Sequence, residues 1–417
     1  MNDYWKEVLA HRQIKDPSER ISANMALRKM REEKTREVAH ALALDLVRPE
    51  SSDRAWQRWF WFNHFNVLPR KSHIGAVLSS YLSEAIEGAL DLNFVDLLQK
   101  VTVHPAMLMY LDNVNNTKAK GNENLARELL ELHTLGVSGG YSQQDVLDTA
   151  RILTGWTVQL SGNPNEMGRT VFRPAQHDPA SRNVFGKSVP AGGESQLGVL
   201  LKHLATHPAT AQHIARKLCL WWFDVPPEAA VQELAAVFTR TGGSLTALWQ
   251  SARDVYQRMG GQAVFKDPMH YLVSSVQVLC GPTPVVNAQP LLRWMRMLGQ
   301  PLLGRSTPDG YPLQGSFWLS AGQLAQRIEL AHELVAHAHR LTMPATAMAM
   351  AQVQTHATGR FELQDLRTVP AARPWLAKQP DLMTKASAAV AGGNSSQSVS
   401  LWPLYLSSPE FMYRNGI

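Results

Sequence analysis

Asn122-Glu123-Asn124-Leu125-Ala126-Arg127-Glu128-Leu129-Leu130-Glu131-Leu132-His133-Thr134-Leu135-Gly136 reads as one short, bounded helix. Asn122 suits the N-cap, Glu123 suits the positive N-terminal end, and Gly136 suits the left-handed position after the last turn. Leu125, Leu129 and Leu132 recur at i, i+4 and i+7 and form an apolar stripe. On a helical wheel Glu128 falls beside Leu132 and Leu135, inside that stripe, and His133 falls between Ala126 and Leu129. Arg127 and Glu131 point the other way. A carboxylate and an imidazole on a packed face are costly unless each finds a partner, so they belong either to a buried structural network or to a site. Glu128 is expected to be buried and paired with a cation, with Arg151 the first candidate.

Helical periodicity extends outward from this stretch in both directions. Ser22 to Val47 reads as a long charged amphipathic helix and Asp53 to Phe65 as an aromatic-rich one. Further helices are expected over Ser80–Leu98 and Met107–Leu111. Ser142 with Asp145 has the capping-box spacing and opens a helix running to Gly155. Beyond it come Ser195–His207, Pro208–Phe223, Glu228–Thr239, Leu245–Arg258, Pro268–Leu279 and Ala321–His339. Two stretches interrupt the pattern, at about 158–193 and 299–320, both rich in Pro and Gly. The first carries β-prone pieces such as Thr170-Val171-Phe172, enough for a minor hairpin. Gly392-Gly393-Asn394-Ser395-Ser396 reads as a flexible link within about 391–397. The expectation is an all-α fold: one large helical domain over 1–417 with two long irregular loops, functional in character because such loops are uncommon otherwise.

Composition narrows the function classes. With 41 basic against 35 acidic residues and no dense basic run, nucleic-acid binding is not expected. Arg28-Lys29-Met30-Arg31-Glu32-Glu33-Lys34 mixes signs and reads as a solvated face. The 2 cysteines, Cys219 and Cys280, sit in apolar surroundings and read as core residues, not a disulfide framework. No uninterrupted apolar run is long enough to predict a transmembrane segment. The N-terminus is not a secretory signal, which points to the cytoplasm. No phosphate-binding Gly-rich loop, dinucleotide fingerprint or nucleophile elbow is present, so neither nucleotide nor flavin is expected.

The chain resembles a bacterial family known as domain of unknown function 1800. The resemblance runs through Trp61-Phe62-Asn63-His64-Phe65-Asn66-Val67, His104-Pro105-Ala106-Met107-Leu108-Met109-Tyr110-Leu111-Asp112-Asn113 and the helix above. It continues through Gly139-Gly140-Tyr141, Ala150-Arg151-Ile152-Leu153-Thr154-Gly155-Trp156-Thr157, His177-Asp178 and Phe185-Gly186-Lys187. It closes with His207-Pro208-Ala209-Thr210-Ala211 and Leu406-Ser407-Ser408-Pro409-Glu410-Phe411. Members of that family usually carry an extra N-terminal segment, often after an export signal, which implies a periplasmic location if this N-terminus is truncated. Relatives are often encoded beside a sulfatase-like or phosphatase-like exported protein, so the resemblance implies such a partner.

Each candidate residue has a structural and a functional reading. His64 is a ligand or base, or a helix-end histidine that favours the dipole. His104, Asp112 and Asn113 lie at helix ends, where such residues are ordinary. His177-Asp178 on a loop suits an acid/base pair or a divalent-metal site, against the plainer reading of an Asp closing a turn with His177 exposed. His203 and His207 are four apart without the Glu a zincin needs, so a helix-boundary role for His207 is expected. Glu128 and His133 lie too far round the face to chelate one ion alone. A divalent metal is a candidate cofactor only if ligands converge from different segments.

Two functional readings follow. In the first the protein is a hydrolase with its site between the 122–136 helix and the His177 loop. Glu128, His133, His177 and Asp178 would do proton transfer or hold metal, and Arg127, Arg151, Asn63, His64, Asn113 and Lys187 would bind substrate. In the second it is a non-catalytic helical scaffold acting with the sulfatase-like or phosphatase-like partner. The hydrolase reading requires the His177 loop to pack over the helix, with His177 or Asp178 beside Arg127, Glu128 or His133.

Overall fold

The computed structural model describes residues 2–48, 52–343, 366, 369–379 and 401–414. The structure is 64% helical with a few short strands in small sheets. The expected link at 391–397 lies outside the described residues. Contacts divide the chain into two compact units. The first comprises Met1–Val38, Gln57–Met259 and Leu303–Tyr311, the second Ala39–Trp56, Gly260–Leu302 and Pro312–Ile417.

Helices α1 (Asn2–Gln13), α2 (Pro17–Val47) and α3 (Ser52–His64) open the chain. α2 begins five residues before the expected Ser22 because Asp16 Oδ1 accepts from the amides of Ser18 and Glu19, both at 2.9 Å. α4 (Ile74–Ser80) runs into a π-helix at Tyr81–Ile86, followed by α5 (Phe94–Val103) and α6 (Pro105–Tyr110). The expected continuous helix from Ser80 to Leu98 is therefore broken, and Asn93 with Asp96 restarts it through a capping box. Next come α7 (Asn124–Glu128), a second π-helix at Leu129–Thr134, and α8 (Gln143–Ile152). α8 has the expected Ser142/Asp145 capping box.

The first irregular stretch holds two hairpins where one was expected. β1 (Trp156–Val158) pairs antiparallel with β2 (Thr170–Phe172), and β3 (Arg182–Val184) with β4 (Lys187–Val189). The second turns on Phe185 and Gly186, both at positive φ (48° and 76°), a two-residue connection that matches strand twist. α9 (Ser195–Ala205), α10 (Pro208–Phe223), α11 (Glu228–Arg240) and α12 (Leu245–Arg258) complete the first unit's helices. Its core is aromatic: Phe60, Trp61, Trp221, Trp222 and Trp249 are each at most 3% exposed. Each ring buries a large apolar area, which dominates core energetics.

The second unit contains β5 (Val264–Phe265), α13 (Pro268–Cys280), α14 (Gln289–Met297), α15 (Ala321–His337) and β6 (Tyr413–Arg414), which pairs with β5. Cys219 and Cys280 are buried and free, as their apolar neighbours predict. No helix among the described residues is long and apolar enough to cross a membrane.

Candidate functional site

The 122–136 stretch is helical in two registers. Asn122 Oδ1 accepts from the Asn124 amide at 3.0 Å, and Gly136 takes the expected left-handed turn at φ 84°. Between them the backbone widens into the π-turn at Leu129, a feature frequent at functional sites. The wider turn changes which side chains face inward. His133 is buried while Leu132, expected on the apolar stripe, stays half-exposed.

His133 meets two other imidazoles. His64, from the end of α3, donates from Nε2 to the His133 carbonyl at 3.2 Å. His213, from α10, donates from Nε2 to the Leu132 carbonyl at 3.0 Å. The His64 ring centroid lies 6.0 Å from that of His133 and 6.2 Å from that of His213. Burial holds all three rings neutral, with His133 lowered to about 3, His213 to about 4 and His64 well below its ordinary value. The charge of Lys217, one turn along α10 from His213, lowers them further. Among the described residues His64 Nδ1 and His133 Nε2 are buried without a hydrogen-bond partner.

Glu128 is half-buried, not buried as expected, and its carboxylate has no hydrogen bond or ion pair among the described residues. Burial raises its pKa, the neighbouring Glu131 and Asp309 charges add to that, and Arg127 opposes them. Lys217 also has no hydrogen-bond acceptor among the described residues; desolvation lowers it to about 8 against the opposing pull of Asp309. Asp309 therefore acts on both groups. The Tyr110 phenol, pushed up to about 12 by burial and by Asp309 and Glu128, donates to the Ser306 carbonyl at 2.8 Å.

Two asparagines hold the segment that carries Asp309. Asn63 Nδ2 donates to the Tyr311 carbonyl at 2.9 Å, and its Oδ1 accepts from the Tyr311 amide at 2.7 Å. Asn66 Nδ2 donates to the carbonyls of Arg305 (3.1 Å) and Thr307 (2.8 Å). Gly310 makes this approach feasible: a Cβ there would sit 2.1 Å from the Asn63 carbonyl oxygen. Asn63, read in the sequence as substrate-binding, is thus wholly engaged in positioning.

Other expected residues lie elsewhere. Arg151 does not pair with Glu128; its Nη1 donates to the Lys118 carbonyl at 3.0 Å. Arg127 Nη2 donates to Glu123 and Gln143, each at 3.0 Å. Asn113 is buried and donates to the carbonyls of Leu153 (3.1 Å) and Trp156 (2.9 Å). Lys187 is exposed on β4. His104 and His207 are helix caps whose Nδ1 atoms accept from the Ala106 and Ala209 amides, both at 3.1 Å.

The His177 loop is tied to its own neighbours. His177 Nδ1 donates to the Thr154 carbonyl at 2.8 Å, and Nε2 lies 2.8 Å from Gln196 Oε1. Asp178 accepts from the Ala180 amide at 3.1 Å, which closes a turn, and from Arg182. None of these partners belongs to the 122–136 helix; Asp178 closes a turn as on the plainer reading, but His177, exposed on that reading, is buried. Among the described residues no group of three or more His, Cys, Asp or Glu could hold a metal ion.

His213, Lys217, Asp309 and Tyr110 were not singled out in the sequence. His213 and Lys217 were visible as polar residues four apart on the otherwise apolar face of Ile214-Ala215-Leu218-Cys219. Asp309 gave no signal, because it reaches the group only through the turn that Asn63 and Asn66 fix.

The chain is mainly helical and gathers His64, His133 and His213 into one cluster. The family model described as Protein of unknown function (DUF1800) matches residues 2–413, and the chain belongs to that family. Neither the curated proteins nor the solved structures gave a match.

Proposed function

We propose that the protein is a hydrolase working by proton transfer, with Glu128 as the general acid/base, its pKa raised by burial and by the Glu131 and Asp309 charges, and with Lys217, which also feels Asp309, as the cation. One observation carries this reading: Glu128 and Lys217 are two ionisable groups without acceptor or donor, each shifted toward neutrality, and both feel Asp309. Ionisable groups that are perturbed yet unengaged concentrate at functional sites. In its protonated form Glu128 would give its proton to a leaving group as water adds to the substrate. The Lys217 ammonium would stabilise developing negative charge.

The test is turnover of p-nitrophenyl acetate, phosphate, sulfate and glycosides by the full chain. The expected result is hydrolysis of at least one, reduced about 10²–10⁴-fold in Glu128→Gln. Absence of turnover on all of them, or turnover unchanged in Glu128→Gln, overturns the reading. A non-catalytic scaffold acting with a sulfatase-like or phosphatase-like partner is the second reading. It is favoured by the complete internal engagement of His177, Asp178 and Asn113.

A further inference from the structure

The second unit contains buried cations that have not been accounted for. Pairing of β5 with β6, extended by the Lys266 amide donating to the Met412 carbonyl at 2.9 Å, brings Lys266 and Arg414 into one neighbourhood. Arg327 reaches it from α15, with Nη2 donating to the Lys266 carbonyl at 2.7 Å. Its guanidinium lies 4.3 Å from the Phe265 ring centroid and 4.9 Å from that of Tyr271. Lys266 is 8% exposed and Arg327 0%. The neighbouring buried carboxylate, Asp267, is already committed: it accepts from the His270 amide at 2.9 Å and from His270 Nδ1 at 2.8 Å, capping α13.

What remains is donor capacity without acceptors. Among the described residues Arg327 Nε and Nη1 are buried and have no hydrogen-bond partner. The Lys266 ammonium packs 3.8 Å from the Phe411 ring centroid and makes no hydrogen bond to a described residue. Buried cations left this way are costly, and a purely structural role would be served as well by apolar side chains of similar volume. Donors on two different cationic side chains, pointing from separate elements, match an anion with several acceptor oxygens better than a halide.

We propose that Lys266 and Arg327 hold a small tetrahedral oxyanion of the phosphate or sulfate type. The site lies in the second unit and is independent of the hydrolase reading. Its oxygens accept from Arg327 Nε or Nη1 and from the Lys266 ammonium, and the Arg414 charge adds to the attraction. The aromatic rings of Phe265, Tyr271 and Phe411 shape it and strengthen the electrostatics.

The experiment is thermal unfolding and titration calorimetry of the full chain with sodium phosphate and sodium sulfate. Sodium chloride at matched ionic strength and sodium acetate are the comparison arms. A saturable rise in Tm with phosphate or sulfate, absent with chloride, is expected. Lys266→Met and Arg327→Met should each abolish saturation, and Arg327→Lys should weaken binding at least tenfold. Circular dichroism checks that each variant folds; if Arg327→Met does not, Lys266→Met decides. A response no greater than chloride, or saturation retained in folded Lys266→Met, overturns the site. Acetate binding as well as phosphate overturns the tetrahedral class.

Discussion

The 122–136 helix and the His177 loop both carry buried histidine, and they treat it in opposite ways. On the loop both ring nitrogens of His177 face oxygens, and Asp178 is closed by Ala180 and Arg182. Around the helix, His64 Nδ1 and His133 Nε2 face nothing that bonds them, and Glu128 stands unengaged. Satisfied polar groups specify a fold, whereas unsatisfied ones are held in place by it and are free for other work. The sequence placed a candidate site between the two regions; among the described residues the unbonded polar atoms lie on the helix side.

Acid should separate the two regions most sharply. His133 and His104 are lowered to about 3 and His213 and His73 to about 4, all by burial. The unfolded chain protonates these rings below about 6.5, while the folded chain keeps them neutral. Their contribution is fully present above that value and is lost as pH falls from about 6.5 toward 3–4. The loss should reach several kcal/mol, on the order expected from linkage. Urea midpoints between pH 7 and pH 4 measure it, and a flat profile would mean the rings charge without unfolding.

His177→Ala removes a buried ring and leaves the Thr154 carbonyl without the hydrogen bond that Nδ1 donates. It should cost about 2–4 kcal/mol by urea denaturation. A cost below 1 kcal/mol, on the order of an exposed site, would dissolve the contrast by showing the loop network to be idle.

Two glycines extend the comparison. Gly136 has φ 84°, and a Cβ there would lie 2.8 Å from His213 Nδ1; Gly186 has φ 76° with nothing within 4 Å. Both alanine variants carry the left-handed penalty of about 1–2 kcal/mol. Gly136→Ala should cost about 1 kcal/mol more, since His213 must move. Equal shifts in Tm for the two variants would show that His213 yields freely.

The smallest effect is expected at His133→Leu. This change removes an unbonded Nε2 from an aromatic setting and should stay within about 1 kcal/mol of the parent at pH 7. It should also flatten the acid limb. A large loss at pH 7 would show that the ring makes an indispensable polar contact.

Elements whose signals are local were legible in the sequence. Ser142 with Asp145 announced α8, and His104-Pro105 and His207-Pro208 marked helix starts that proved to be caps. What failed depended on period or distance. A helical wheel assumes one residue spacing, so it could not anticipate the π-turn that leaves Leu132 half-exposed. Glu128 was assigned a cation because its stripe position implied full burial, but the turn leaves it half-buried. Asp309 was invisible because its place depends on Asn63 and Asn66, far away in the chain.

The π-turn at Leu129–Thr134 has a consequence for how this chain tolerates change in length as opposed to composition. A π-turn is in effect an α-helix carrying one surplus residue. Deleting one residue there would let the backbone relax into an ordinary helix, with every intrahelical bond intact. The flanks would keep nearly their present relative orientation, because the wide turn absorbs the roughly 100° that one residue adds at 3.6 residues per turn. Only the side chains inside the turn, His133 among them, would be re-aimed. A one-residue deletion here would therefore dismantle the histidine cluster while leaving both flanks seated and the helix whole.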